Sequence, residues 1–315
     1  MKILVTGCAG FIGSHVAEAL LKRGDYVVGV DNLNDYYDVR IKKKNLRILK
    51  NYSEFKFYKE DIRNYDKLRK IFKKEKPERI VHLAARAGVR ASIQHPLLYQ
   101  DVNIRGTLNL LDLARDYKAR SFVFASSSSV YGNQKKVPFS ETDKVDNPIS
   151  PYAATKRAAE LLCYTYHHLY NMRITCLRFF TVYGPRGRPD MAPYKFTKLI
   201  IEGKPVPRYG DGRTKRDYTY ISDVVKGVIE AVDKELGFEI INLGNNEPVE
   251  LNEFIRIIER VTGKKAIIKE LPMQPGDVNI TYADISKAQR LLDYQPETSI
   301  EEGMKKFVKW YEKDA

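Results

Sequence analysis

The stretch Gly7-Cys8-Ala9-Gly10-Phe11-Ile12-Gly13 leaves the chain few folds to choose from. A short apolar run, Lys2-Ile3-Leu4-Val5-Thr6, precedes it and reads as a strand. A helical pattern follows, with Val16, Ala19 and Leu20 apolar and an end near Gly24. Strand, glycine turn, helix is the context that a dinucleotide-binding turn requires. Gly7 permits the tight turn, Gly10 lets the backbone approach a pyrophosphate, and Gly13 lets the helix pack closely on the strand. The helix N-terminus then supplies N–H donors and a positive dipole end. The alternative is a glycine-rich turn that holds no ligand.

Tyr26-Val27-Val28-Gly29-Val30 reads as the second strand, and Asp31 ends it 18 residues beyond Gly13. A carboxylate there accepts from both ribose hydroxyls and repels a 2′-phosphate; because Asn32 rather than an arginine follows, NAD is favoured over NADP. Further strands are expected at 55–59, 79–85, 122–125 and 173–178, and helices at 65–75, 96–117 and 151–170. Asp61-Ile62 ends the third strand, where an adenine ring would lie, and the small residues of Leu83-Ala84-Ala85 leave room beside a cofactor. Asn103 falls within the helix at 96–117. This alternation predicts an α/β fold built on a doubly wound parallel (Rossmann) sheet.

The apolar run Phe122-Val123-Phe124-Ala125 delivers Ser126-Ser127-Ser128-Ser129 to the carboxyl edge of that sheet, where open α/β folds bind ligands. The next helix is opened by Ser150 as cap and Pro151 in its first turn, followed by Tyr152. Tyr152 and Lys156 are four apart and share a helical face. A nearby ammonium, together with a cationic nicotinamide, favours the phenolate, and a tyrosine lowered in this way is a competent general base. A serine hydroxyl within reach can hold or relay the proton. Many helices carry a Tyr and a Lys at this spacing with no such role.

The 315 residues are 43% hydrophobic and hold no long apolar run, so no membrane span is expected. The opening residues are too strand-like for a signal peptide. The three cysteines, Cys8, Cys163 and Cys176, are odd in number and far apart, which fits a reducing cytoplasm. No metal-ligand spacing appears, and the five histidines read as structural or surface residues. A formal charge of +14 raises nucleic-acid binding. However, the basic residues are scattered in short clusters such as Lys42-Lys43-Lys44, which read as solvated helix faces, and nucleic acid is not expected as a partner. A positive field drawing in a small polyanionic substrate is the functional alternative.

Beyond Phe180 the texture changes. Glycine, proline and arginine crowd Tyr183-Gly184-Pro185-Arg186-Gly187-Arg188-Pro189, and a loop of the same character runs from Tyr209 to Asp217. A strand is expected at 239–244 and helices at 252–262, 286–292 and 300–312. This predicts residues 1–180 as the dinucleotide-binding domain, with about 217–244 threading back to it, and 181–315 as a smaller mixed α/β substrate domain. Arginines on its turns suit diphosphate or carboxylate recognition.

Together these residues resemble the extended short-chain dehydrogenase/reductase family, in particular its nucleotide-sugar epimerases and dehydratases. The resemblance covers nearly the whole chain. It rests on the three glycines, Asp31-Asn32-Leu33, Leu83-Ala84-Ala85, the serine run with Val130-Tyr131-Gly132, Tyr152/Lys156, Arg178-Phe179-Phe180 with Tyr183-Gly184-Pro185, and Arg216-Asp217-Tyr218. Within the family the UDP-glucuronate 4-epimerases are most similar, at Asp31–Asp38, Ala87-Gly88-Val89-Arg90, Gly187–Ala192 and Met273–Val278. There are departures from other branches. The sugar dehydratases carry an Asp-Glu pair where this chain has Ser128 and Ser129, and the related decarboxylases keep a carboxylate where Ser129 stands. UDP-galactose epimerases usually have Asn in place of Thr181.

The resemblance implies bound NAD, with contacts also from Phe11, Ile12, Asn34 and Asn103. It implies 4-epimerisation of UDP-glucuronate to UDP-galacturonate through a 4-keto sugar, with Tyr152 as base, Ser127 beside it and Lys156 on the nicotinamide ribose. Thr181, the serines including Ser128, and Arg188 or Arg186 would hold the carboxylate; sequence geometry does not separate the two arginines. Met191 and Tyr209 would border the uracil, while Arg216 and Asp277 would take the diphosphate and ribose. A homodimer is implied. The rivals are a UDP-glucuronate decarboxylase, a 4-epimerase of uncharged or N-acetylated UDP-hexoses, and a non-catalytic NAD-sensing protein on the same fold.

Overall fold

The computed structural model describes residues 1–273 and 278–314. Short apolar runs form the parallel strands β1 (Lys2–Thr6), β2 (Tyr26–Val30), β3 (Phe55–Tyr58), β4 (Arg79–His82), β5 (Ser121–Ser127) and β6 (Ile174–Phe179). Alternate residues serve the two faces, as the strand pleat demands. In β1, Ile3 and Val5 enter one core with Val81 and Val123, whereas Leu4 enters the other with Ile80 and Phe122.

The helices that cover these faces are α1 (Phe11–Lys22), α2 (Val39–Leu49), α3 (Tyr65–Glu75), α4 (Val89–Gln94), α5 (Pro96–Gln100), α6 (Gly106–Asp116) and α7 (Pro151–Tyr170). The expected helix at 96–117 forms, but Asp101–Arg105 within it is a π-helical turn joining α5 to α6. The sequence predicts no bounds for α2, although Lys42-Lys43-Lys44 within it read as a helix face. Its lysines mask the pattern, but Asp38 caps it by accepting from Arg40 N at 2.9 Å.

The second half supplies β7 (Thr181–Tyr183), α8 (Ala192–Ile201), β8 (Pro205–Tyr209), β9 (Lys215–Tyr220), α9 (Ile221–Asp233), β10 (Phe238–Leu243), β11 (Pro248–Glu250), α10 (Leu251–Thr262), β12 (Ile267–Leu271), α11 (Ser286–Leu292) and α12 (Ile300–Asp314). Strand β10 pairs in parallel with β6, so the main sheet has seven strands in the order β10-β6-β5-β4-β1-β2-β3. Two small sheets, β11-β9-β7 and β12-β8, stand outside it. The loop expected at 209–217 is shorter: Tyr209 ends β8 and Lys215–Asp217 open β9, while α8 and α9 have no counterpart in the sequence pattern. The winding reverses between β1 and β4, which leaves a crevice at the carboxyl ends of the strands. No described helix is long and apolar enough to cross a membrane.

Candidate active site

That crevice is a cleft of about 410 Å³ running from the glycine turn to Thr181, Arg188 and Met191. At one end Gly7 has φ +70° and its N–H donates to Val30 O at 2.8 Å. A Cβ on Gly13 would stand 2.0 Å from Gly7 O, so only glycine lets α1 start there. Gly10 caps α1 without a side-chain acceptor, which leaves the first-turn N–H groups for a ligand. Asp31 Oδ2 accepts from Ala9 N at 3.2 Å and Oδ1 from Leu33 N at 2.8 Å. Burial nonetheless pushes its carboxyl above the usual range. Asn32 Nδ2 donates to Asp61 Oδ2 at 2.7 Å, and its Oδ1 accepts from Asn34 N at 3.0 Å. Burial alone would raise Asp61, but bonds from Arg63 and Asn32 bring it down to about 2. Phe11, Ile12, Ile62, Leu83, Ala84 and Ala85 complete this end. The glycine cradle and the buried carboxylate at the end of β2 fit the adenosine diphosphate half of a dinucleotide.

At the other end β5 delivers Ser127 and a 3₁₀ turn, Ser128–Tyr131, follows at once. Ser127 Oγ accepts from Ser129 N at 3.2 Å and from Ser129 Oγ at 2.9 Å. Ser150 caps α7 by accepting from Ala153 N at 3.1 Å, which places Tyr152 in the first turn. Burial raises the Tyr152 phenol; a hydrogen bond with Ser127 and the charge of Arg188 oppose it. Lys156, lowered to about 8 by burial, donates from Nζ to Ala125 O at 2.6 Å and lies 6.0 Å from the Tyr152 ring centroid. The phenol is thus raised where the sequence predicts it lowered, and it would take a proton from a hydroxyl placed at Tyr152 and Ser127 only with a further cation, such as a nicotinamide, beside it.

The structure separates the two candidate arginines. Arg188 lines the cleft, 5.2 Å from the Tyr36 ring, and is held by Asp190 through Nε–Oδ1 at 3.0 Å and Nη2–Oδ2 at 2.5 Å. Arg186 instead donates from Nη2 to Glu18 Oε2 on α1 at 2.6 Å and is not among the lining residues. Asn103, on the π turn, is likewise not among the lining residues. Its Nδ2 donates to Arg86 O and Thr155 Oγ1, each at 3.0 Å, and its Oδ1 accepts from Arg86 N at 2.8 Å, so it ties the segment after β4 to α7. Tyr209 packs under the Arg90 guanidinium at 4.8 Å, and Arg216 Nη1 donates to Lys215 O at 2.9 Å; neither lines the cleft. Asp277 lies outside the described residues. Tyr36, Tyr37 and Lys42 line the cleft, and the sequence reading gave them no role. The Tyr36-Tyr37 pair stands in the segment that carried the resemblance, which was the one signal available for them. Among the described residues no group of His, Cys, Asp or Glu is placed to hold a metal ion.

The family model for GDP-mannose 4,6 dehydratase matches residues 4–307. The chain is 54% identical over 308 residues to a UDP-glucuronate 4-epimerase of Thermodesulfobacterium geofontis, covering 98% of this chain and 95% of that protein. Its structure superposes with a TM-score of 0.94, at 40% identity and 99% coverage of both chains, on the UDP-glucuronic acid 4-epimerase of Bacillus cereus in complex with UDP-glucuronic acid and NAD. It also matches the UDP-glucose 4-epimerase of Thermotoga maritima with UDP-glucose at a TM-score of 0.90, 34% identity and 99% coverage of both chains. With its sheet order, glycine turn and Ser127/Tyr152/Lys156 cleft, the chain belongs to the GDP-mannose 4,6-dehydratase family of extended short-chain dehydrogenase/reductases.

Proposed function

We propose that the chain is an NAD-dependent isomerase that converts UDP-glucuronate to UDP-galacturonate by inversion at C4. The observation that carries this reading is the make-up of one cleft. It is lined by the glycine turn with Asp31, by Ser127 and Tyr152, and by Thr181 and Arg188. Ser128 and Ser129 stand where a dehydratase needs carboxylates. The likeness to UDP-glucuronate 4-epimerases at 54% and 40% identity supports the same substrate.

When bound, NAD+ would supply the hydride acceptor for C4, and a 4-keto sugar that turns about its diphosphate link would take the hydride back on its other face. Tyr152 Oη takes the 4-hydroxyl proton and gives it back, while Ser127 holds the same oxygen. Lys156 binds the nicotinamide ribose. Phe11, Ile12, Asn32, Asn34, Asp61, Ile62 and the Leu83-Ala84-Ala85 segment seat the rest of the dinucleotide. The 4-keto form of glucuronate is a β-keto acid, which loses CO2 when its C5–C6 bond aligns with the carbonyl π system. Arg188, Thr181 and the serines hold the carboxylate out of that alignment.

The test is incubation of the purified protein with UDP-glucuronate without added NAD, followed by proton NMR and mass spectrometry. A new anomeric signal at unchanged mass is expected, and Tyr152→Phe should abolish it. A product lighter by CO2 would move the assignment to a decarboxylase, and no product even with NAD supplied would overturn the reading.

We further propose the division into a dinucleotide part, 1–180 with 217–244 returning to it, and a sugar-nucleotide part, 181–315. Pairing of β10 with β6 supports the return. A homodimer is supported by exposed apolar side chains at Leu97, Leu161, Tyr164 and Leu169 on α5 and α7. Sedimentation at the mass of one chain would exclude it. The three cysteines are free and buried, which supports a cytoplasmic location, to be checked by cell fractionation.

A further inference from the structure

The run Lys42-Lys43-Lys44 reads as a solvated face, and for Lys43 and Lys44 it is one; Lys42 is only 4% exposed and lines the cleft. Helix α2 is fastened to the glycine turn by Asn45, whose Nδ2 donates to Ala9 O at 2.9 Å. Lys42 lies three residues before Asn45, so both project from the face turned to that loop. The Lys42 ammonium stands 5.1 Å from the Tyr37 ring centroid, and the Tyr37 hydroxyl lies 4.0 Å from where a Cβ on Gly10 would sit. Apart from that ring, Lys42 has no hydrogen-bond or ion-pair partner among the described residues. Its ammonium is not among the buried polar atoms left without a partner, so it opens on the cleft, where it is free to take an anion. Burial lowers the Lys42 ammonium; the charges of Asp31 and Asp35 favour it, and those of Arg86 and Arg188 add to the lowering. The N-terminus of α1, with its first-turn N–H groups free of side-chain acceptors, borders the same space.

We propose that Lys42 is a dinucleotide-binding residue whose ammonium takes a phosphate oxygen on the adenosine side of the cofactor, between Asp31 and the start of α1. This rests on the reading of the cleft as a dinucleotide site. Asp31 receives the ribose hydroxyls, so the phosphate joined to that ribose is the anion that falls beside Lys42. Lys42 thereby offsets the carboxylate of Asp31, which would otherwise repel the diphosphate.

The test strips the protein of bound nucleotide and titrates it calorimetrically with NAD, with ADP-ribose and with NADP. The variants are Lys42→Met and Lys42→Arg. Loss of one charged hydrogen bond is expected to weaken NAD and ADP-ribose alike by about ten- to a hundredfold in Lys42→Met. Lys42→Arg should stay within about fivefold of the parent, since it keeps the charge. The fall in affinity with added salt should also be shallower in Lys42→Met. ADP-ribose binding by Lys42→Met within about twofold of the parent, or a loss confined to NADP, would overturn the assignment. If Lys42→Met does not fold, Lys42→Arg with its salt dependence unchanged supports the proposal, and Lys42→Arg weakened as far as loss of the charge would predict overturns it. A parent that binds neither NAD nor ADP-ribose overturns the dinucleotide reading itself, and Lys42 with it.

Discussion

Replacing Arg178 by Met tests whether the active-site edge is braced by a buried ion pair. Arg178 on β6 donates from Nε and Nη2 to Glu160 Oε1 and Oε2 at 2.8 and 2.9 Å, and both side chains are fully buried. Glu160 also accepts from Ser126 Oγ at 2.6 Å and from Arg157 Nη1 at 3.2 Å. It lies one turn beyond Lys156 on α7, while Ser126 directly precedes Ser127. The network thus ties α7 to the ends of β5 and β6. Arg178→Met leaves a buried carboxylate with only Ser126 and the partly exposed Arg157, and breaking such a pair costs about 3–5 kcal/mol. An unfolding entropy of about 2.1 cal/mol/K per residue over 315 residues gives about 0.66 kcal/mol per degree. The midpoint should fall by about 5–8 °C, followed by calorimetry on the nucleotide-free protein. Removing both charges in Arg178→Met/Glu160→Met should recover at least half of the loss, since apolar pairs of similar volume replace buried ion pairs well. A single variant within about 1 °C of the parent, or a double variant no better than the single, would refute the argument.

Gly13→Ala should release the cofactor and destabilise the protein by about 1–3 kcal/mol, because its Cβ would meet Gly7 O at 2.0 Å and Gly7 C at 2.7 Å. Nucleotide released on denaturation measures the first effect, and Gly237→Ala, whose Cβ meets nothing closer than 3.9 Å, serves as control. Stability should fall as pH drops below 6.5. His82, between Thr6 Oγ1 at 2.7 Å and Thr107 Oγ1 at 3.0 Å, is lowered to about 3 by burial and the nearby Lys156. The unfolded chain therefore binds this proton first, and the stabilisation present above pH 6.5 is lost progressively down to about 3. At pH 5 the loss from His82 alone is about 2 kcal/mol, and urea melts of His82→Gln should show a shallower pH slope. An equal slope would assign the effect to other groups.

What was legible in the sequence was local. The glycine spacing, the apolar runs, the Ser150-Pro151 start of α7 and the Tyr152/Lys156 pair are read within one or two turns of chain, and the structure keeps all of them. Where a side chain had two available environments, the sequence did not choose. Arg186 and Arg188 sit in one turn with the same chemistry; Glu18, 168 positions away in the chain, takes the first and leaves the second to the cleft. Lys42 looks like its neighbours Lys43 and Lys44 until Asn45 docks α2 on the glycine turn. Asn103 belongs to a helix by pattern, and the π turn around it appears only with its bonds to Arg86 and Thr155.

The sequence by itself therefore determined the winding of the main sheet and the chemistry available at its carboxyl edge, because strand runs, glycine turns and helix caps are short-range choices of backbone geometry and hydrophobic period. Only the tertiary structure decided which charges face the cleft. Desolvation and pairing depend on groups brought together from distant parts of the chain, and a lysine or arginine carries no local mark of whether water or a buried partner will receive it.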